Sequence, residues 1–167
     1  AIYVTHDQEE ALSISDRIVV MSAGKMEQVG SPFQIYNFPE TPFVANFVGT
    51  LNTVEAVVVD ARAKVLRVDG VQLEAAEGLD GKQAGDKVMI AIRPERLNFA
   101  ATEKKANLID CTIENITFLG SIVRIQVLIA NTKFFMDTFN NPFLELPKLG
   151  DKAQITCSRE AVLILNP

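Results

Sequence analysis

A mixed α/β segment followed by an all-β, barrel-like domain is the fold this sequence predicts, and three observations predict it. Residues 1–49 alternate short apolar runs with helix-start signals. Beyond Leu51 the chain turns to short alternating segments punctuated by Gly, Asn and Asp, the pattern of small antiparallel sheets. A strand opening, Gly85-Asp86-Lys87 with Ile90 and Glu95, returns 65 residues later as Gly150-Asp151-Lys152 with Ile155 and Glu160. The boundary is expected between residues 49 and 50, with the β domain over 50–167.

In the first segment, Ala1 to Thr5 reads as a β run that breaks at His6-Asp7, and Gln8 to Ser15 reads as a helix. Two overlapping cap patterns mark its start, Thr5 with Gln8 and Asp7 with Glu10. Arg17 to Ser22 and Lys25 to Gly30 form a hairpin about Ala23-Gly24. Ser31 caps a helix opened by Pro32, where a missing N–H does no harm, and Pro39 ends it. A further short helix starts near Thr41, carries Phe43, Val44, Phe47 and Val48, and closes at Gly49.

The β domain is expected to hold strands at Val54–Val59, Lys64–Val68, Val71–Glu74, Lys87–Ile92, Leu108–Thr117, Lys133–Asp137, Ala153–Cys157 and Val162–Leu165. Clearest of all is the run with Val123, Ile125, Val127 and Ile129 on one face and Arg124 and Gln126 on the other. Eight or nine such strands suit a barrel or sandwich, and the 65-residue echo predicts two similar β units packed together, since neither could bury its face alone.

Composition removes several functions. With 48% hydrophobic residues over 167 positions the chain can build a packed core. No stretch approaches the roughly 20 apolar residues that span a bilayer, and nothing at the start resembles a signal peptide. Cys111 and Cys157 lie far apart without a CxxC, and His6 is the only histidine, so buried reduced thiols are expected and no metal site. A net charge of −5 without a Lys/Arg cluster argues against nucleic acid, which needs cations to replace its counterions. Phe134, Phe135, Phe139 and Phe143 accordingly read as core and interface residues, not base-stacking platforms.

Chemistry concentrates at the start. His6 stands between a β run and a helix start, where a side chain can be held and pointed at a ligand. Asp7, Glu9 and Glu10 are the carboxylates expected at a helix start to complement its dipole. Arg93 and Arg96, flanking Pro94-Glu95, have the charge to hold a carboxylate or oxyanion but read first as surface ion-pairing residues.

The words around His6 are specific. Tyr3-Val4-Thr5-His6-Asp7-Gln8-Glu9-Glu10-Ala11-Leu12, continuing through Ser15-Asp16-Arg17-Ile18-Val19-Val20-Met21, resembles the switch-histidine segment of ABC importer ATPases. Gly24-Lys25, Gln28-Val29-Gly30, Pro32, Ile35-Tyr36, Phe43-Val44-Ala45 and Phe47-Val48-Gly49 are similar to the end of that ATPase domain in sugar and polyamine importers. Ile92-Arg93-Pro94-Glu95, Phe118-Leu119-Gly120-Ser121 and Val162-Leu163-Ile164-Leu165 resemble the transport-associated OB-like (TOBE) domain of the same subunits, leaning toward polyamine and iron importers.

That resemblance implies an α+β remnant of the ATPase domain followed by an all-β OB-like barrel. It implies that His6 contacts the γ-phosphate of ATP in an intact parent, where an imidazole N–H would stabilise charge on the transferring phosphoryl group. The GxxxxGK[ST] loop, the LSGGQ signature and the strand ending in Asp-Glu do not occur here, so a truncated chain is expected. ATP and magnesium then belong to the parent, and neither is expected to bind this piece alone. The expected partners are a second copy, through the β domain, and the transmembrane permease subunits; the expected place is the cytoplasmic face of the membrane. The alternative reading is a free-standing module that binds a small anion or a regulatory protein.

Overall fold

Residues 1–100 and 107–165 are described by a computed structural model, in which they fall into two units, Ala1–Leu51 and Asn52–Ile164. The first unit contains helix α1 (Gln8–Ile14), strands β1 (Ile18–Ser22) and β2 (Lys25–Gly30), and helices α2 (Pro32–Asn37) and α3 (Pro42–Phe47). β1 and β2 pair antiparallel about Ala23-Gly24, both at positive φ, as a tight hairpin turn requires. Ser31 and Gln34 make a reciprocal capping box on α2, with Pro32 at the first turn. Thr41 caps α3 through Val44 N at 3.2 Å. Gln28, only 5% exposed, uses both ends of its amide to hold the link between these helices, donating to Phe38 O at 2.9 Å and accepting from Glu40 N at 3.0 Å. The unit closes on Val20, Ile35, Val44 and Val48, against which Leu12, Ile18 and Tyr36 pack. Each fully buried branched side chain there stabilises by about 2 kcal/mol.

One expected element does not form: Ala1–Thr5 is not a strand. A β ladder needs a partner, none of the described residues supplies one, and Ile2 and Val4 stand 97% and 90% exposed.

The second unit runs β3 (Asn52–Asp60), β4 (Val65–Val68), β5 (Val71–Glu74), β6 (Lys87–Ile92), a 3-10 turn at Pro94–Arg96 and β7 (Asn98–Phe99). The same series then repeats as β8 (Asn107–Phe118), β9 (Ile122–Ile129), β10 (Thr132–Phe139), β11 (Lys152–Cys157), a 3-10 turn at Arg159–Ala161 and β12 (Leu163–Leu165). The Gly-Asp-Lys echo is the visible trace of this repeat, and its hydrogen bonds repeat too. Gly85 N donates to Val58 O and Val58 N to Asp86 O, both at 2.8 Å; Gly150 N donates to Ile113 O at 2.8 Å and Ile113 N to Asp151 O at 3.0 Å. Asp86 and Asp151 each accept from the backbone N–H three residues upstream, of Gln83 and Lys148, at 2.8 Å. Both copies also carry a bulge, between Val58 and Asp60 and between Ile113 and Asn115.

The strands assemble as two curled five-stranded sheets of OB-like form, ordered β12-β6-β3-β4-β5 and β10-β9-β8-β11-β7. The last strand of each repeat is therefore exchanged: β7 pairs with β11, and β12 with β6. A single core forms between them, drawing Leu66, Val68, Leu73, Ile90 and Ile92 from the first repeat and Ile109, Ile125, Phe134, Met136 and Ile155 from the second. Two asparagines tie the repeats reciprocally. Asn52, at the start of β3, donates to Phe135 O at 2.8 Å and accepts from Phe135 N at 2.7 Å; Asn107, at the start of β8, does the same with Glu74 at 2.9 and 2.6 Å.

Candidate functional site around His6

His6 lies at the turn between Thr5 and α1, exposed, and its imidazole makes no hydrogen bond with the described residues. The turn itself is well tied. Asp7 is the N-cap of α1, its Oδ1 accepting from Glu10 N at 3.0 Å. Thr5 Oγ1 accepts from Asp7 N at 3.0 Å and donates to Glu10 Oε2 at 2.8 Å, and Tyr3 donates to the same oxygen at 3.2 Å. The hydrogen bond to Glu10, with the charge of that carboxylate, raises the Tyr3 phenol above its usual range.

Of the two expected caps, Asp7 with Glu10 forms and Thr5 with Gln8 does not. Gln8 turns away instead and accepts from Gly49 N at 2.8 Å, just beyond the end of α3. Glu10 is more than a carboxylate near a helix dipole, because it holds the two side chains that precede His6. Its i−5 and i−7 spacing to Thr5 and Tyr3 belongs to no periodic pattern, which is why sequence reasoning passed over it.

The second pair of candidates separates. Arg93 is 3% exposed, contrary to the expected surface position, whereas Arg96 is exposed. Arg93 is the extended residue that leads from β6 into the 3-10 turn Pro94–Arg96, whereas Arg96 is the last residue of that turn. Nearby on the sheet face, Arg124 forms a bidentate pair with Asp137 at 2.8 and 2.7 Å and lies 5.7 Å from the Phe135 ring centroid. The hydrogen bonds to Asp137 raise the guanidinium pKa against the opposing effect of burial.

Phe134 is core at 2% exposed, Phe135 is partly buried, and Phe139 and Phe143 are 80% and 91% exposed. Both cysteines are reduced and buried, and burial, then Asp110, pushes the Cys111 thiol up to about 11. Among the described residues no group of three or more His, Cys, Asp or Glu could hold a metal, and no helix is long and apolar enough to cross a membrane.

Three comparisons bear on this geometry. Residues 90–165 match the TOBE domain family. The spermidine/putrescine import ATP-binding protein PotA 1 of Pseudomonas aeruginosa is 36% identical over 166 residues, 98% of this chain and 45% of that protein. PotA of Vibrio cholerae is 37% identical over 178 residues, 99% of this chain and 45% of that protein. The chain thus spans less than half the length of these curated relatives. In the solved structure of the cytoplasmic molybdate-binding protein ModG, with molybdate bound, 96% of that chain superposes on 70% of this one at a TM-score of 0.57 and 15% identity, which shows a shared fold. A TOBE match over residues 90–165, with identity to import ATP-binding proteins along nearly the whole chain, places the protein in one family: it belongs to the ATP-binding subunits of ABC importers, as the part that carries the TOBE domain.

Proposed function

We propose that this chain is part of a subunit that couples ATP hydrolysis to polyamine import, with residues 1–49 the end of its ATPase domain and 50–167 its TOBE domain. Identity over 98% of the chain to a spermidine/putrescine import ATP-binding protein is the observation that carries the reading. His6 supplies a hydrogen bond to the γ-phosphate and orients the attacking water, a role that needs a side chain on a fixed backbone and open to solvent. The remaining contacts to ATP and its magnesium come from segments outside this sequence.

The TOBE domain serves dimerisation and regulation, and the subunit works at the cytoplasmic face of the membrane against permease subunits. Its exposed apolar residues, Phe118, Leu119, Phe139 and Phe143, support a contact with a second copy. Sedimentation should then show dimers at tens of micromolar, and a monomer at all concentrations would remove the dimer from the reading.

The decisive experiment is His6→Ala in the full-length subunit. Hydrolysis should fall at least a hundredfold, roughly the loss typical of a removed oxyanion donor, while ATP binding persists. Hydrolysis at the native rate would refute the assignment. A second reading, a small-anion module, is supported by the fold shared with ModG. Molybdate, sulfate and phosphate would then raise the melting temperature of this chain in proportion to the logarithm of their concentration.

A further inference from the structure

Resting on the reading of His6 as the γ-phosphate contact, we propose that Thr5 and Glu10 are positioning residues that hold the His6 backbone for that contact, with Gln8 as the anchor of the turn. Thr5 and Asp7 flank His6 in sequence, and the Thr5 side chain binds the Asp7 N–H at 3.0 Å, closing the chain around the histidine. Glu10 fixes that side chain from below, through Oε2 at 2.8 Å, and takes Tyr3 as well at 3.2 Å. The helix start under the turn is fastened in its turn: Gln8 Oε1 accepts from Gly49 N at 2.8 Å, one residue beyond the core residue Val48. Both flanks of His6 are thereby fixed while its imidazole remains exposed, so only its own side-chain torsions remain to be ordered by a ligand.

Helix capping alone does not account for this arrangement. The cap is complete in the bond from Glu10 N to Asp7, which needs only the Glu10 backbone. The Glu10 carboxylate is spent instead on Thr5 and Tyr3, residues outside the helix. A group held in productive geometry before its substrate arrives has less ordering left to do in the transition state, and small misplacements are costly in rate.

The test has two parts. In this chain, 15N relaxation should give His6 and Asp7 order parameters near the rigid value of about 0.85, falling below about 0.6 in Thr5→Val and Glu10→Ala and staying rigid in Thr5→Ser, which keeps the hydroxyl. Gln8→Ala should loosen the same residues. In the full-length subunit, Thr5→Val and Glu10→Ala should lower kcat about tenfold with KM for ATP changed less than twofold, and Thr5→Ser should restore it. A merely structural role would lower the melting temperature without that split. Unchanged order at His6 in Glu10→Ala and Thr5→Val overturns the proposal, and so does lost order with native kcat. If His6→Ala hydrolyses ATP normally, the functional reading fails separately, and the relaxation data still decide whether these residues hold the turn.

Discussion

Replacing Asn107 by alanine tests how the two repeats of the β unit are joined. Asn107 is 2% exposed, and its amide pairs with both backbone groups of Glu74, accepting at 2.6 Å and donating at 2.9 Å. Its own carbonyl separately accepts from Thr156 Oγ1 at 2.7 Å, a bond that alanine keeps. Alanine therefore removes both of these hydrogen bonds to Glu74, together with a longer one that the same amide donates to Ser158 O at 3.5 Å, and leaves the part-buried N–H and C=O of Glu74 without those partners. Unmet buried groups cost about 1–3 kcal/mol each, and partial access to water brings the pair to about 2–4 kcal/mol. That is a large share of a domain stability of about 5–15 kcal/mol, and it should lower the melting temperature by roughly 10 °C. Asn52→Ala should cost a similar amount, because Asn52 makes the same two bonds to Phe135. Urea unfolding followed by far-UV circular dichroism reports the strand-rich unit. Tyrosine emission follows the other unit, since both tyrosines, Tyr3 and Tyr36, lie in it and the chain has no tryptophan. Asn107→Asp adds a check of sign. A carboxylate facing the Glu74 carbonyl favours its protonated form, so its folded pKa is raised, and the deficit relative to native protein should grow as pH rises from the unfolded value and shrink in acid. A loss under 0.5 kcal/mol in Asn107→Ala, within the usual effect of a neutral surface change, would refute this account of the junction.

Other consequences can be measured directly. Gly78→Ala places a Cβ 2.7 Å from Ile164 Cβ at φ +90°, whereas Gly70→Ala, at φ +87°, meets nothing within 4 Å. Gly78→Ala should cost about 2 kcal/mol more in urea melts, and equal costs would show that β12 yields easily. The Glu114 carboxyl is held below its ordinary 4.5, first by the hydrogen bond from Gln126, against burial, and then by Lys133. Its stabilisation is present above the unfolded value and lost as pH falls through the folded one, so Glu114→Gln should flatten the acid limb of the stability curve; an unchanged limb would contradict this. With Cys111 pushed up to about 11 and Cys157 0% exposed, native protein at pH 8 should resist thiol reagents that label both sites in urea. Rapid native labelling would show that the sheets open readily.

Much of this was legible in the residues. Alternation located most of the strands of the β unit, because a strand buried on one face must repeat its apolar residues every second position. Ser31-Pro32 marked one helix through cap chemistry that needs no tertiary partner, and the apolar spacing of Phe43, Val44, Phe47 and Val48 before Gly49 marked another. His6 was singled out as a candidate by its neighbours' identity. What escaped notice was short or aperiodic: β7 has two residues, too few for a period, and Asn52 and Asn107 look like ordinary turn residues until their partners, Phe135 and Glu74, are known.

The sequence by itself determined most of the elements, the all-β character of the second unit and the existence of a repeat, since these follow from local propensity, alternation and the Gly85-Asp86/Gly150-Asp151 echo. Only the tertiary structure decided the exchange of β7 and β12, the burial of Arg93 apart from Arg96, the failure of Ala1–Thr5 to become a strand and the grip of Glu10 on the flank of His6. Each of these depends on which backbone group finds which partner across the fold. Pairing over such distances is set by packing around a shared core, which no local pattern encodes.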